Sequence, residues 1–330
     1  MIIARTPFRV SFLGGGTDLP DFWQEEEGAV LSTAVDKYMH ITVNNRFDES
    51  WRLGYSKTEI VNDVAEIEHK IFRRVLEKYG KQASSKNGGH GLEILSMADI
   101  PAGSGLGSSS SFTVSLLHAL KGHLGTFQSA EDLAREASEI EIVDLKEPIG
   151  KQDQYAAAFG GLRYIRFLPS GEVSAEPVIC SEDTKRALES HMLIFYTGVT
   201  RSASAVLAEQ KSNTDKKRET LRAMRDLALR MKVSLEKNES IQRSGELLNE
   251  GWLMKKTLAS GISAGPIDAW YERAIKAGAY GGKILGAGGG GFLMVLCPPD
   301  AQAKVKAELK ELRPVAMKFD SFGSRIVFVG

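Results

Sequence analysis

The sequence predicts an α+β fold in two domains. Three observations carry that expectation. Apolar segments of strand period and of helix period are mixed without the regular alternation of a doubly wound sheet. Composition shifts near Pro177, and a chain of 330 residues holds two domains or one large one. A glycine-rich loop stands between a strand candidate and a helix candidate, as a ligand-binding turn does. The boundary is expected near residues 180–190 and is drawn at 185/186, giving segments 1–185 and 186–330.

Ile2-Ile3-Ala4 and Val10 to Leu13 read as a strand, or two strands, around Pro7. Gly14-Gly15-Gly16 then breaks the chain. Val30 to Val35 is a short apolar stretch, and Tyr38 to Val43 alternates like a half-buried strand. Val64, Ile67, Ile71, Val75 and Leu76 predict a helix over 60–79, followed by a polar loop over 81–91. Ile94 and Leu95 mark a strand. Phe112, Leu116, Ala119 and Leu120 mark a helix. Helices are expected over 131–143 and 152–159, the second ended by Gly160-Gly161. Strands are expected at 162–168 and 192–196. Leu221 to Leu235, Leu247 to Leu253 and Asp268 to Ala277 form three amphipathic helices. Phe292 to Cys297 and Ile326 to Val329 are the last strands. No internal repeat is present.

Forty-two basic residues balance forty-two acidic ones, so no overall field points to nucleic acid or a membrane surface. Cys180 and Cys297 lie far apart and form neither a disulfide framework nor a metal motif, which fits a reducing compartment. Arg5 and Arg9 interrupt the N-terminal apolar stretch, unlike a signal peptide. No apolar run approaches the roughly 20 residues of a membrane span. A cytoplasmic protein without a nucleic-acid or membrane partner is expected.

The segment Pro101-Ala102-Gly103-Ser104-Gly105-Leu106-Gly107, followed by Ser108 to Ser111, is the most specific feature. Glycines at every second position turn the backbone tightly and leave its N–H groups uncovered. The helix dipole that follows favours an anion there, and so long a nest suits a polyphosphate. It is not the common P-loop, because Gly107 is followed by Ser108 rather than lysine. It also lacks the placement and spacing of a dinucleotide fingerprint. Asp153 sits at a helix start, as a cap or as a base, and Glu141 by itself reads as a solvated helix residue. Arg9 is an edge-strand charge or an anion ligand. Asp18 is a turn residue or a ligand for a sugar hydroxyl. Gly286 to Gly291 is a second glycine loop, richer in glycine than a hairpin needs. Lys283 and Arg201 are further anion candidates, whereas His118 and His123 have no metal-ligand spacing.

Taken together these segments resemble the GHMP kinases. Thr6-Pro7-Phe8-Arg9-Val10 through Asp18 resembles that family's opening segment. Pro101 to Ser109 matches its phosphate loop at every position, and Lys283 to Gly291 resembles its closing glycine loop. Gly150-Lys151-Gln152-Asp153-Gln154 is similar to a Gly-x-x-Asp-Gln segment of the galactokinases. The resemblance implies two α+β domains with the active site in the cleft between them, and an ATP-dependent kinase using Mg²⁺. It implies that Asp153 is the catalytic aspartate and Arg9 its basic partner. Pro101, Gly103, Ser104, Gly105, Leu106, Gly107, Ser108, Ser109 and Ser110 would hold ATP, and Ser109 and Glu141 the metal. Gly15, Gly16, Thr17, Asp18, Thr197, Arg201, Gly288 and Gly289 would bind the substrate. One departure is informative. The Gly-Glu-His of galactokinases and mevalonate kinases is replaced by Gly14-Gly15-Gly16-Thr17-Asp18. Together with Gly150-Lys151-Gln152-Asp153-Gln154-Tyr155 and Tyr196-Thr197-Gly198, that string resembles the sugar-1-kinases acting on D-glycero-D-manno-heptose 7-phosphate, with fucokinase domains the nearest sugar alternative. A sugar phosphate and ATP are then the expected partners, for a monomer or homodimer.

Overall fold

The computed structural model describes residues 1–199, 203–263 and 265–330. Its strands are β1 (Ile2–Leu13), β2 (Gly28–Asn45), β3 (Trp51–Gly54), β4 (Thr58–Val61), β5 (Leu92–Ala98), β6 (Leu162–Phe167), β7 (Val173–Pro177), β8 (Met192–Tyr196), β9 (Gly281–Ile284), β10 (Phe292–Leu296), β11 (Arg313–Pro314) and β12 (Arg325–Val329). Its helices are α1 (Pro20–Trp23), α2 (Lys70–Lys86), α3 (Ser108–Leu124), α4 (Ala130–Ser138), α5 (Gln152–Phe159), α6 (Glu182–His191), α7 (Ala203–Ser212), α8 (Arg218–Glu236), α9 (Ile241–Lys255), α10 (Pro266–Lys276) and α11 (Gln302–Glu308). The larger sheet runs β12-β1-β2-β5-β3-β4, with β6 and β7 branching from β2, and the smaller runs β11-β8-β10-β9. The α+β expectation holds.

β1 and β2 organise the larger sheet. From Thr6 onward every β1 residue is buried, so both of its faces are covered. The two segments read around Pro7 are one strand, and 30–35 and 38–43 are likewise one long strand. Register shifts where Pro7 pairs Tyr38 and Phe8 pairs Val35, which accommodates Asp36 and Lys37 as a bulge. α3 lies across β1 and β2, and α9 packs on β9, β10 and α8. Two apolar clusters form: one includes Phe8, Phe12, Phe72 and Phe167 and runs on to Ile194, Phe292 and Met294 of the smaller sheet, and the other includes Phe22, Phe195, Trp252 and Leu293 on that sheet's other face.

The expected cut at 185/186 falls inside α6, and β12 carries the end of the chain back to pair with β1. The two sheets are therefore not two uninterrupted stretches of sequence. The helix expected over 60–79 is also divided. Thr58–Val61 pairs with β3, and Asp63 caps a short 3₁₀ turn through a reciprocal bond with Glu66. α2 begins only at Lys70. It then runs to Lys86, into the stretch read as a loop, because Gly80 and Ala83 keep its inner face buried. The helix expected over 131–143 ends at Ser138 and widens into a π-helical turn, Glu139–Asp144. Such wide turns recur at functional sites, and this one buries the adjacent residues Ile140 and Glu141 together.

Candidate active site

One cleft of about 470 Å³ takes its walls from both sheets. β1 contributes Arg9 and Ser11; the turn after it contributes Gly15, Gly16 and Asp18. The glycine loop ahead of α3 and that helix's first turn contribute Gly103, Gly105, Gly107 and Ser108 to Ser110. α5 gives Gln152 and Asp153, α9 gives Lys255, and β9 with its following loop gives Lys283, Gly286, Gly288 and Gly290.

The glycine loop ends in Gly107, whose φ of 75° makes it a left-handed cap of α3. Among the described residues no side chain caps that helix, so its first N–H groups are left to an external acceptor. Close packing restricts two glycines, Gly105 severely and Gly107 more mildly. A Cβ on Gly105 would lie 2.5 Å from the Leu285 carbonyl oxygen, and one on Gly107 would lie 3.3 Å from both Arg9 and Asp153. The phosphate loop is thus pressed against the closing glycine loop on one side and against an ion pair on the other.

That ion pair joins β1 to α5. Arg9 donates from Nε to Asp153 Oδ1 at 2.8 Å and from Nη2 to Oδ2 at 2.9 Å. Its third donor, Nη1, reaches the Gly105 carbonyl at 2.7 Å, and its backbone N–H reaches the Leu106 carbonyl. Such a two-pronged guanidinium–carboxylate pair fixes orientation as well as charge. Arg9 is only 3% exposed, whereas the Asp153 side chain, at 23%, is open to the cleft. Beside it, Ser11 donates to Gln152 Oε1 at 2.9 Å.

At the start of α3, Ser109 donates to Glu141 Oε1 at 2.6 Å, and Gln154 donates to Oε2 at 2.7 Å. Burial pushes the Glu141 carboxyl above its ordinary range, against the pull of hydrogen bonds from Ser109, Ser110 and Gln154. Among the described residues no cation pairs with it, and no group of three His, Cys, Asp or Glu side chains is placed to hold a metal. A buried carboxylate and a hydroxyl beside a phosphate cradle are hard oxygen donors. They fit a Mg²⁺ ion that keeps most of its shell as water and phosphate oxygens.

Asp18 is buried and accepts the Gly16 N–H at 2.8 Å. Burial raises its carboxyl pKa, the Gly16 hydrogen bond opposes this, and the charge of Asp153 adds to the rise. Lys283 donates to the Ser11 and Phe12 carbonyls at 2.9 and 3.1 Å. Burial, then Lys255 and Arg9, lower its pKa.

Several expected site residues stand outside the lining. The Thr17 hydroxyl is fully buried, sharing its proton between the Gly14 and Ala29 carbonyls and accepting the Ala29 N–H. Thr197 donates to the Gly291 carbonyl at 2.9 Å and braces the closing loop from behind. Gly289 is turned to the Ile262 carbonyl. Leu106 points into the apolar core, Ser104 is buried, and Pro101 sits on the exposed outer edge. Arg201 lies outside the described residues. His118 is occupied by Ser324 at 2.8 Å.

Two residues at the site escape a reading of the sequence: Lys255 in the cleft lining and Gln154 buried behind it against Glu141. Lys255 follows Leu248 and Trp252 at the spacing of one helix face, so a lysine on a buried stripe is the available signal. Gln154, adjacent to Asp153, has no signal of its own, because its role depends on where the π-helical turn puts Glu141.

A glycine-rich loop at a helix start beside an arginine-held aspartate fits a phosphotransferase with an alcohol acceptor. Comparison with known proteins names the family. Residues 69–161 match the model of the GHMP kinases N terminal domain, and residues 231–314 match that of the GHMP kinases C terminal. The D-glycero-alpha-D-manno-heptose 7-phosphate kinase of Campylobacter jejuni is 30% identical over 324 residues, covering 94% of each chain. The L-fucokinase/L-fucose-1-P guanylyltransferase of Bacteroides fragilis is 27% identical over 95% of this chain and 36% of that one. The crystal structure of a D-glycero-D-manno-heptose 1-phosphate kinase from Bacteroides thetaiotaomicron superposes with a TM-score of 0.81 at 24% identity, covering all of both chains, and shares the fold. The chain belongs to the GHMP kinase family, and it is a sugar kinase that takes its phosphate from ATP. Among the described residues no helix is long and apolar enough to cross a membrane.

Proposed function

We propose that this kinase transfers the γ-phosphoryl group of ATP to the anomeric hydroxyl of D-glycero-D-manno-heptose 7-phosphate, giving the 1,7-bisphosphate for nucleotide-activated heptose synthesis. The observation that carries the reading is the Arg9–Asp153 pair seated against Gly107. It supports a base held where the phosphate cradle ends. The C. jejuni relative supports the choice of sugar.

In this reading Gly103 to Ser110 cradle the triphosphate with backbone amides. Asp153 accepts the proton of the sugar hydroxyl as its oxygen bonds to the γ-phosphorus, and the bond to the ADP oxygen breaks. Arg9 keeps the carboxylate aimed at the hydroxyl. An anomeric hydroxyl is more acidic than an ordinary alcohol, so a carboxylate suffices. Ser109 and Glu141 would hold Mg²⁺, which when bound neutralises phosphate charge. Asp18, with Gly15 and Gly16, lines the same cleft and would bind sugar hydroxyls.

The test is ADP release with magnesium, ATP and a panel of acceptors: the heptose with and without its 7-phosphate, L-fucose, galactose and mevalonate. The phosphorylated heptose should exceed every other acceptor by at least about tenfold in kcat/KM, a difference of about 1.4 kcal/mol. Preference for fucose or galactose would replace the substrate. No ADP release above the sugar-free rate with any acceptor would favour a silent sugar-binding protein.

A further inference from the structure

The closing helix of the site carries a cation that the phosphate cradle and the Arg9–Asp153 pair do not account for. The buried stripe of α9 includes Ile241, Ser244, Leu248 and Trp252, and Lys255 occupies its next position, 5% exposed. An apolar residue would fill that place without the several kcal/mol, in order of magnitude, that desolvating an ammonium costs. Its Nζ donates to the Gly286 carbonyl. Gly286 lies back to back with Gly105, so close that a Cβ on it would fall 2.6 Å from the Gly105 Cα. The Gly105 carbonyl in turn accepts from Arg9, which grips Asp153. Contacts through two loops therefore lead from Lys255 to the aspartate, and all of these groups face one cleft.

The neighbouring cations are already engaged. Arg9 spends all three of its bonding nitrogens on Asp153 and Gly105, and Lys283 bonds two β1 carbonyls. Among the described residues Lys255 has one protein acceptor for three N–H groups. We propose that Lys255 is a further catalytic residue, whose ammonium bonds the oxygens of the γ-phosphoryl group during its passage to the sugar. The proposal rests on phosphoryl transfer and not on which sugar receives it. Charge placed where the transferring group gathers it lowers the barrier more than charge that binds substrate and transition state alike.

The surroundings make the role readable by pH. Lys255 faces Arg9 from β1, Asp18 from the turn after β1, Asp153 from α5 and Lys283 from β9. Burial and then Arg9 push its pKa down to about 8, with Asp18 and Asp153 opposing. The cation is the active form, so activity is present below that value and is lost as pH rises through it.

The experiment measures kcat and kcat/KM for ATP from pH 6 to 10, in wild type, Lys255→Arg and Lys255→Met, with whichever sugar the panel identifies. Failure of the heptose reading therefore leaves this test intact. Wild-type kcat/KM should fall above about pH 8. In Lys255→Arg the fall should move up by more than one pH unit. Lys255→Met should lose about 100-fold in kcat at pH 7 with KM for ATP within about threefold, the cost of one transition-state donor. If Lys255→Met does not fold, the wild-type and arginine profiles decide. An alkaline limb absent from wild type, or unmoved by Lys255→Arg, overturns the proposal. So does a loss confined to the KM of the sugar.

Discussion

The two walls of the cleft are built on opposite principles. The wall we assign to the phosphate donor is backbone. Gly103 to Ser109 is one contiguous stretch, its geometry fixed by positive φ angles and by Leu285 packed against Gly105. The wall we assign to the acceptor is side chains. Arg9, Asp18, Asp153, Lys255 and Lys283 come from five separate segments, all of them wholly or largely buried. Backbone amides carry no net charge and bind a triphosphate without titrating. The side-chain wall holds charges of both signs in one desolvated space, where burial and neighbouring charges raise the pKa of Asp18 and lower those of Lys255 and Lys283. ATP is shared by the whole family, so a wall that cannot easily vary suits it. Acceptors differ, and a wall of side chains can be changed one residue at a time.

Removing the base should produce the largest effect. Asp153→Asn keeps the shape of the side chain but removes the proton acceptor and half of the Arg9 pair. We expect kcat to fall about 10³-fold, within the range typical of general-base removal, while ATP affinity by calorimetry changes only a few-fold. A variant retaining kcat within tenfold would mean that the acceptor wall orients the sugar without taking its proton. An equal loss of ATP affinity would mean that the two walls do not act separately.

The donor wall breaks by a steric route. Gly105 has φ of 86°, and a branched side chain there would drive the phosphate loop off Leu285. Gly105→Val should weaken ATP binding at least about 100-fold, or about 2.7 kcal/mol. Gly103 supplies an internal control. It too has positive φ, 71°, but a Cβ on it would meet nothing within 4 Å. Gly103→Ala should therefore cost only the backbone strain, about 1–2 kcal/mol, or roughly tenfold. Equal losses in the two variants would mean that backbone conformation, rather than contact with the closing loop, sets the cradle.

The contrast between the walls also explains what can be read from the chain. A contiguous glycine pattern is a local signal, so the tight loop Gly103 to Gly107 ahead of a helix is legible from the order of residues alone. The pairing of Arg9 with Asp153 bridges 144 positions and is reachable only through resemblance to a family. Glu141 reads as solvated on a regular helix, whereas the π-helical turn rotates it inward to Ser109. Lys255 is hidden for a related reason. Its charge suggests an exposed residue, although helical phase puts it on the buried stripe. Of the one strand or two read around Pro7, the structure forms one, with the register shift beside Pro7 taken up by a bulge in β2. Local pattern reports contiguous backbone well, and it fails where a side chain's partner lies on another element.

Thr17 separates the walls from the frame that holds them, and its expected effect is the smallest. The string Gly14 to Asp18 reads as one substrate motif, but the structure splits it. Gly15, Gly16 and Asp18 line the cleft, while the Thr17 hydroxyl turns inward, where it pins the Gly14 and Ala29 carbonyls at 2.8 and 3.0 Å and accepts the Ala29 N–H. Thr17→Val keeps the side chain's volume and deletes this junction. The Ala29 N–H would lose its hydroxyl partner and the Gly14 and Ala29 carbonyls one donor each, which should cost about 1–3 kcal/mol of stability, seen as a fall in Tm of a few degrees. The turn's path is also held by the Thr17 N–H to Gly14 carbonyl bond and by Asp18 accepting from Gly16, both of which survive the substitution. KM for the sugar and kcat should therefore stay within about twofold of wild type, a difference of about 0.4 kcal/mol. An increase in sugar KM of tenfold or more with Tm unchanged would put the Thr17 hydroxyl in contact with the acceptor, and the division between wall and frame would have to be redrawn there.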